Sequence, residues 1–404
     1  MVDDSALKRQ AKTWYEANWD PALSTGAWFR LMAEHRWGYP TWPEQWWGRG
    51  LSLAQAKIVR QERRRAGALG PPSGIGPTLL APMLFEHGTD DQCRRFLWGC
   101  AVEGLQVCQM LSEPDAGSDL ANAQARAERD GEEWSITGSK IWTSGADLVD
   151  YGMLLARTDW DAPKHRGLTF FLIERDQQGI EVRPLRQMTG DARFNQVFFD
   201  RARVSTADVL GAEGEGWAVT RTFLANEKNS YNPAAHEGGP FGRVDLNRSA
   251  GETLEILQRR ASAASAGRGI GRLLTDLVAE SGRGADPLVR QRLSQLWIRR
   301  SLMNYTNQRS RTAAPRPGAV GPISKISVSD LTRGQRDLGL DVQGPAGALV
   351  GDQARSSAFQ YFALNSPSLS IAGGTDEIQR NHLAEKVLGL PRDPVPGDPA
   401  PGGP

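Results

Sequence analysis

A chain of 404 residues exceeds the roughly 100–200 residues of an ordinary domain, so two or three packed units are expected. Its 48 Lys and Arg against 47 Asp and Glu leave a formal net charge of +1, which excludes general electrostatic attraction to nucleic acid or membrane and requires partners to be recognised locally. Cys93, Cys100 and Cys108 lack the paired spacing of a metal site, and the histidines His35, His87, His165, His236 and His382 are scattered with no i,i+4 pair, so buried thiols are expected, without a metal or a disulfide framework.

No apolar run approaches the roughly 20 residues of a membrane span, and the first residues lack the apolar core of a signal peptide, so a cytoplasmic protein is expected. Residues 51–66 (LSLAQAKIVRQERRRA) carry apolar side chains at helical spacing, and a second helix is expected over 90–98 after the Gly88-Thr89 break. The run Arg63-Arg64-Arg65 on the first of these reads as a wet helix face rather than a nucleic-acid patch. From about Leu105 the period changes. Residues 133–136, 151–156, 168–173, 180–182 and 197–199 are short apolar or alternating runs separated by Gly, Asp and Pro, which predicts a β unit. Helical period returns in 217–227, 264–281 and 288–310. The Pro-, Gly- and Asn-rich stretch 229–246 predicts a loop, 313–321 a second break, and 391–404 a disordered tail. The domains expected are therefore 1–105 (helical), 106–210 (β) and 211–390 (helical), followed by the tail.

The most informative stretch is 108–144, CQMLSEPDAGSDLANAQARAERDGEEWSITGSKIWTS. Its segment 112–119 packs hydroxyls, carboxylates, one Pro and one Gly into a turn whose backbone N–H groups and serine hydroxyls can hold polar ligand atoms. Trp142 offers a flat face beside the hydroxyls of Thr143 and Ser144. Taken alone, these residues read first as turn caps, with Ser112 and Ser118 as the capping groups, and a core tryptophan. No G-x-G-x-x-G follows a strand; GRGIG at 267–271 falls in a helical stretch.

Further motifs lie on either side, in the order Pro40-Thr41-Trp42-Pro43, Gly48-Arg49-Gly50-Leu51-Ser52, His87-Gly88-Thr89, then Arg186-Gln187-Met188-Thr189-Gly190-Asp191, Phe198-Phe199-Asp200, Gly214-Glu215-Gly216-Trp217 and IAGGTDEIQRN at 371–381. In this order, from 29 to 393, the chain resembles the acyl-CoA dehydrogenase family. The resemblance implies an α+β multi-domain fold: an N-terminal helical domain, a middle β-sandwich or barrel, and a C-terminal domain like a four-helix bundle. It implies FAD bound in an extended form. Gln109, Met110, Leu111, Ser112, Thr143 and Ser144 would contact the flavin ring and ribityl chain, and Trp142 would flank the ring. Thr375 and Glu377 would meet the FAD of a neighbouring subunit, Arg283 is the approximate match to a pyrophosphate-binding arginine, and Ser118 stands where relatives meet the phosphopantetheine or phosphate part of CoA.

Oxidising a thioester requires removal of a poorly acidic α-proton, for which a positioned carboxylate is the expected base. Many relatives place that base one residue before a Gly-Thr near the carboxyl end; the matching residue here is Gly373, which has no side chain. Other relatives carry it on the first helix after the β unit, followed by a basic residue, and Glu227-Lys228 in LANEK matches. Glu227 is thus the candidate base, in an apolar and partly dehydrated pocket, and Lys228, where relatives usually carry Arg, is a candidate substrate contact. The plainer alternative for Glu227 is a solvated carboxylate paired with Lys228 or Arg221. Tyr231, His236 and Phe241 in the 229–246 loop read as solvent-facing residues next to the acyl pocket. The resemblance implies dehydrogenation of acyl-CoA to the trans-2-enoyl-CoA, in the branch that handles steroid side chains and other bulky acyl groups. It also implies reoxidation by an electron-transfer flavoprotein or oxygen, and a homo- or hetero-oligomer, dimer or tetramer. Two alternatives stay open: a carrier-protein-linked or oxygen-using flavoenzyme of the same fold, and a non-catalytic partner chain of a hetero-oligomeric dehydrogenase.

Overall fold

The computed structural model describes residues 3–230, 238–266, 269–312, 318–350 and 357–392; the side chains of 228–230, 261–266 and 310–312 fall outside that description. The chain divides into two compact units, Met1–Ala266 and Gly267–Pro404.

The first unit opens with helices Asp4–Asn18, Thr25–Glu34, Leu53–Arg65 and Ala81–His87. The helix expected over 51–66 begins where Ser52 accepts from the Gln55 N–H and the Gln55 side chain accepts in return from the Ser52 N–H, a capping box written as S-L-A-Q. Its buried stripe is Ala56, Val59, Arg60 and Arg63, spaced i, i+3, i+4, i+7. The wet-face reading of the arginine run is therefore wrong for Arg63, which is 2% exposed, because helical period turns it inward while Arg64 and Arg65 stay outside. The helix expected over 90–98 starts at Asp90 and runs further, in π-type turns, to Glu103. Aromatic rings fill the amino-terminal core, with the polar tips of Tyr15 and Trp28 donating to the carbonyls of Trp37 (3.0 Å) and Leu69 (2.9 Å).

Eight strands follow: β1 Val107–Met110, β2 Arg126–Asp130, β3 Glu133–Ser144, β4 Tyr151–Arg157, β5 Leu168–Glu174, β6 Ile180–Leu185, β7 Phe194–Ser205 and β8 Val209–Leu210. They pair in the order β6-β7-β3-β2-β4-β5-β8, with β1 joined in parallel to β4. β4 and β5 are apolar without alternation because both faces are covered. Met153, Leu155, Phe170 and Leu172 meet Phe96 and Leu97 of the helical part, while Leu154, Ala156, Phe171 and Ile173 meet Trp134, Ile136 and Val197 of the opposite strands. Trp134 and Phe171 touch edge to face across this inner layer, at 5.6 Å between centroids. The β unit is thus a two-layered sandwich leaning on helices. Helix Gly216–Ser230, with Val219 and Phe223 in the outer cluster, and helix Ala250–Ala266 complete the unit. Of the loop expected over 229–246, Asn229 and Ser230 are helical, 231–237 lie outside the described residues, and 238–246 have no helix or long strand.

The second unit holds helices Ile270–Glu280, Pro287–Thr312, Val320–Gln343, Ala358–Ile371 and Asp376–Asn381 around Leu274, Leu277, Leu296, Leu338, Val342 and Phe359. The helix expected over 264–281 is two helices: Ala250–Ala266 ends in the first unit and Ile270–Glu280 begins the second. At Gly339 an added Cβ would stand 2.1 Å from Phe359 Cδ1, so glycine sets how closely Val320–Gln343 and Ala358–Ile371 cross. Of the break expected over 313–321, 313–317 lie outside the described residues and the helix restarts at Val320; the tail from 393 also lies outside them. No helix among the described residues is long and apolar enough to cross a membrane.

Candidate active site

β3 departs from regular pairing at the point where the sequence places its ring and hydroxyls. Lys140 opposes Val197 and Thr143 opposes Asn195, so three steps on β3 match two on β7 and one residue is extra. Trp142 lies at φ +61, the left-handed region that a bulky residue adopts only where its surroundings fix it. Inward residues Trp134, Ile136 and Lys140 follow the two-residue period, which would send Trp142 inward as well. The extra residue reverses this: Trp142 is 56% exposed and Thr143 is buried. Phe194 braces the indole edge-on at 5.8 Å, and the Asn195 side chain donates to the Thr143 carbonyl at 3.2 Å. The Thr143 Oγ1 is buried with no hydrogen-bond partner among the described residues, an unmet polar group of the kind that a cofactor satisfies.

The other half of the segment packs alongside. Gln109 opposes Met153 on β4 and is half-buried. Met110 and Leu111 are core residues, so anything they offer a ligand comes from their backbone. The Ser112 carbonyl accepts from Ile141 N–H at 2.9 Å, and the Leu111 carbonyl accepts from the Lys140 ammonium at 3.0 Å. Structure therefore unites Gln109, Met110, Leu111 and Ser112 with Trp142, Thr143 and Ser144. Within the 112–119 turn, Glu113 is buried against Lys140, whereas Ser118 is exposed beside the Asp119–Lys164 pair (2.6 Å). The composition of the turn gives no sign that Glu113 points inward; the Lys in the facing strand is the one signal for a buried partner.

Glu227 lies on helix Gly216–Ser230 in the same unit. Val219 and Phe223, each essentially unexposed, precede it at successive i,i+4 positions, so Glu227 extends the buried stripe by one turn and is half-buried. The Lys228 backbone continues the helix, while its side chain lies outside the described residues.

The second unit carries the remaining candidates. Arg283 donates to the Asp341 carbonyl and to the Asp286 carboxylate, each at 2.8 Å, and holds Asp286, with help from backbone N–H groups, below the usual carboxylate range. It lines a cavity of about 640 Å³ with Leu288, Arg292, Asp341, Gly344 and Gly347. Arg292, which pairs with Asp341, was missed because an arginine inside a helix reads as a solvated cation. Two guanidinium groups beside glycine backbone suit a phosphate-bearing ligand. Thr375 caps helix Asp376–Asn381, its hydroxyl accepting from Ile378 N–H at 3.2 Å, and the Glu377 side chain is exposed. Between them the missed residue Asp376, 2% exposed, binds Lys325 (2.7 Å) and Arg333 (3.1 Å). Burial opposes its charge, but Lys325, Ser329 and Arg333 outweigh burial and hold its carboxyl below the usual range. Gly373 and Gly374 just before have φ of +66 and +83. A side chain at Gly373 would be strained as well as absent.

A helical amino-terminal part, a β-sandwich with a bulge that turns Trp142 outward, and a further helical unit make up the layout of the flavin-linked dehydrogenases, whose fold implies FAD. Comparison with known proteins agrees. Three family profiles match in order: "Acyl-CoA dehydrogenase, N-terminal domain" over 3–103, "middle domain" over 108–202, and "C-terminal domain" over 256–388. The chain is 35% identical over 353 residues to the protein named acyl-CoA dehydrogenase IpdE1 of Mycobacterium tuberculosis, spanning 87% of this chain and 84% of that one. Similar solved structures include the ChsE4-ChsE5 complex of Mycobacterium tuberculosis (26% identity, TM-score 0.62, 97% of this chain and 99% of that chain). Another is the Tcur3481-Tcur3483 steroid acyl-CoA dehydrogenase (24% identity, TM-score 0.65, 96% and 98%), which speaks to the fold alone. The chain belongs to the acyl-CoA dehydrogenase family and is an oxidoreductase of that kind.

Proposed function

We propose that the protein dehydrogenates an acyl-CoA thioester to the trans-2-enoyl-CoA, with Glu227 removing the α-proton. The observation that carries this reading is the course of helix Gly216–Ser230: Glu227 continues a buried stripe behind Phe223, while Gly373 has a backbone that disfavours any side chain. Bound FAD supplies the acceptor for the β-hydride. The backbone of Gln109, Met110, Leu111 and Ser112, the exposed face of Trp142 and the hydroxyls of Thr143 and Ser144 would hold its ring and ribityl chain. Within the second unit, Arg283 with Arg292 beside it would suit the pyrophosphate of an FAD. Thr375 and Glu377 would meet the FAD of a second subunit, and Ser118 and Lys228 would contact the CoA thioester. A carboxylate set partly out of water is a stronger base than one in bulk solvent. The reading extends to a bulky acyl group, an electron-transfer flavoprotein as electron acceptor, and an assembly of two related chains, the last supported by the likeness to the ChsE4-ChsE5 complex. The same reading keeps three domains, 1–105, 106–210 and 211–390.

The missing side chain at Gly373 favours one rival, a partner chain that lends cofactor surface while another subunit holds the base. The test uses the chain purified alone. It should be yellow, and an acyl-CoA should bleach it; Glu227→Gln should keep the flavin but slow bleaching by about 10²–10⁴-fold, the usual contribution of a general base. Bleaching by Glu227→Gln at the wild-type rate removes Glu227 from the mechanism, and a wild-type chain that bleaches only after a partner is added establishes the rival.

A further inference from the structure

The ion pair Lys140–Glu113 has no part in proton or hydride transfer, yet it is the most deeply buried charge pair among the described residues, with side chains 0% and 7% exposed. We propose that it is a positioning pair: it sets the register between the strip Gln109 to Ser112 and the strip Trp142 to Ser144, and so builds the flavin-binding surface. The proposal rests on reading those strips as flavin contacts.

The geometry joins three pieces of chain at one point. The Lys140 ammonium donates to Glu113 Oε1 at 2.7 Å and to the Leu111 carbonyl at 3.0 Å. Glu113 in turn accepts from the backbone N–H groups of Ala125 (2.8 Å) and Gln124 (2.6 Å). The end of β1, the start of the bulge and the approach to β2 are thereby fixed together, and the bond from Ile141 N–H to the Ser112 carbonyl locks the next step. Lys140 is also the last residue of β3 in regular register with β7 before the extra residue that turns Trp142 outward.

Stability does not explain such a pair. Two buried charges lose hydration that their attraction repays only with complete hydrogen bonding, and apolar residues of similar size commonly serve a core at least as well. Burial indeed pushes the Lys140 ammonium pKa down, against the pull of Glu113. What apolar residues cannot supply is direction: an ammonium donating to one particular carbonyl, and a carboxylate accepting from two particular amides, specify one arrangement of the strips.

The experiment measures FAD binding by the full chain after the cofactor has been stripped, through quenching of flavin fluorescence, beside the thermal midpoint of the apoprotein and the visible spectrum of the bound flavin. Removing both charges with Lys140→Met/Glu113→Gln should leave the midpoint within a few degrees, raise the FAD dissociation constant at least tenfold, and blur the vibronic shoulder of the bound flavin. Glu113→Asp keeps the charge but shortens its reach; it should fold and bind FAD at least fivefold more weakly. Wild-type affinity and spectrum in either variant overturn the proposal, as does an affinity loss that follows only the fraction unfolded. Trp142→Ala separates the premise from the proposal: if it binds FAD as tightly as wild type, the flavin assignment of the strip has failed, whatever the pair does.

Discussion

Phe223→Ala tests the helix face on which the candidate base depends. Phe223 is 1% exposed and shares a cluster with Val219, Phe96 and Leu80, so removing its ring leaves a cavity that close-packed neighbours fill only in part. Such truncations cost about 3–5 kcal/mol. For a unit the size of Met1–Ala266, each kcal/mol lowers the thermal midpoint by about 2–4 °C, so the transition should fall by roughly 6–20 °C. The neighbouring residue is the control. Leu224 is half-buried, and Leu224→Ala should cost about 1 kcal/mol and move the midpoint by only a few degrees. Differential scanning calorimetry of both variants reads the difference. A Phe223→Ala shift under about 2 °C, or a larger effect at Leu224 than at Phe223, would mean that the helix is rotated about its axis, and Glu227 would lose its inward place.

Two other outcomes follow from buried ionisable groups. Asp376→Asn leaves Lys325 and Arg333 without their shared carboxylate and should destabilise the second unit by about 2–4 kcal/mol at neutral pH. Because the folded carboxyl lies below its ordinary 3.8, this stabilisation is present above that value and lost as pH falls beneath it; urea unfolding should show wild type and variant converging in acid, and a constant gap counts against the cluster. Burial pushes the thiols of Cys100 and Cys108 up to about 12 and that of Cys93 to about 11. At pH 8 a thiol reagent should therefore find no reactive cysteine in the folded protein and three after denaturation; one fast-reacting thiol contradicts that burial.

Much of this fold is legible in one sequence because strong periods survive into three dimensions. Helices Leu53–Arg65, Gly216–Ser230 and Pro287–Thr312 and the apolar runs of β4 and β5 announce themselves. β2, written Arg-Ala-Glu-Arg-Asp, does not: only Ala127 faces the core, and its pairing with β3 makes it a strand. Arg63 misleads for a related reason and Lys140 gives no local sign of burial, since a charged residue reads as solvated unless its distant partner is known, and Glu113 lies 27 residues from Lys140. The segment 108–144 stood out as a candidate cofactor segment, but not which of its residues face out, because alternation cannot reveal an extra residue that only the register with β7 defines. The gap at Gly373 was plain from the residue type, and its positive φ adds that the backbone itself resists a substitute there. The cavity beside Arg283 joins residues from 283 to 348, a closeness that no local pattern encodes.

The extra residue in β3 gives this strand something like a reading frame. Side chains at 142–144 can be exchanged one for one and still point where Trp142, Thr143 and Ser144 point now, because orientation there is counted from the irregularity, not from side-chain type. Deleting a single residue between Lys140 and Thr143 would instead remove the irregularity itself: Thr143 would stand two steps from Lys140, as Asn195 stands from Val197, and would stay inward, while the left-handed turn at Trp142 would have no place in the regular ladder. Changes of letter in this stretch therefore keep the irregularity, and a change of number removes it.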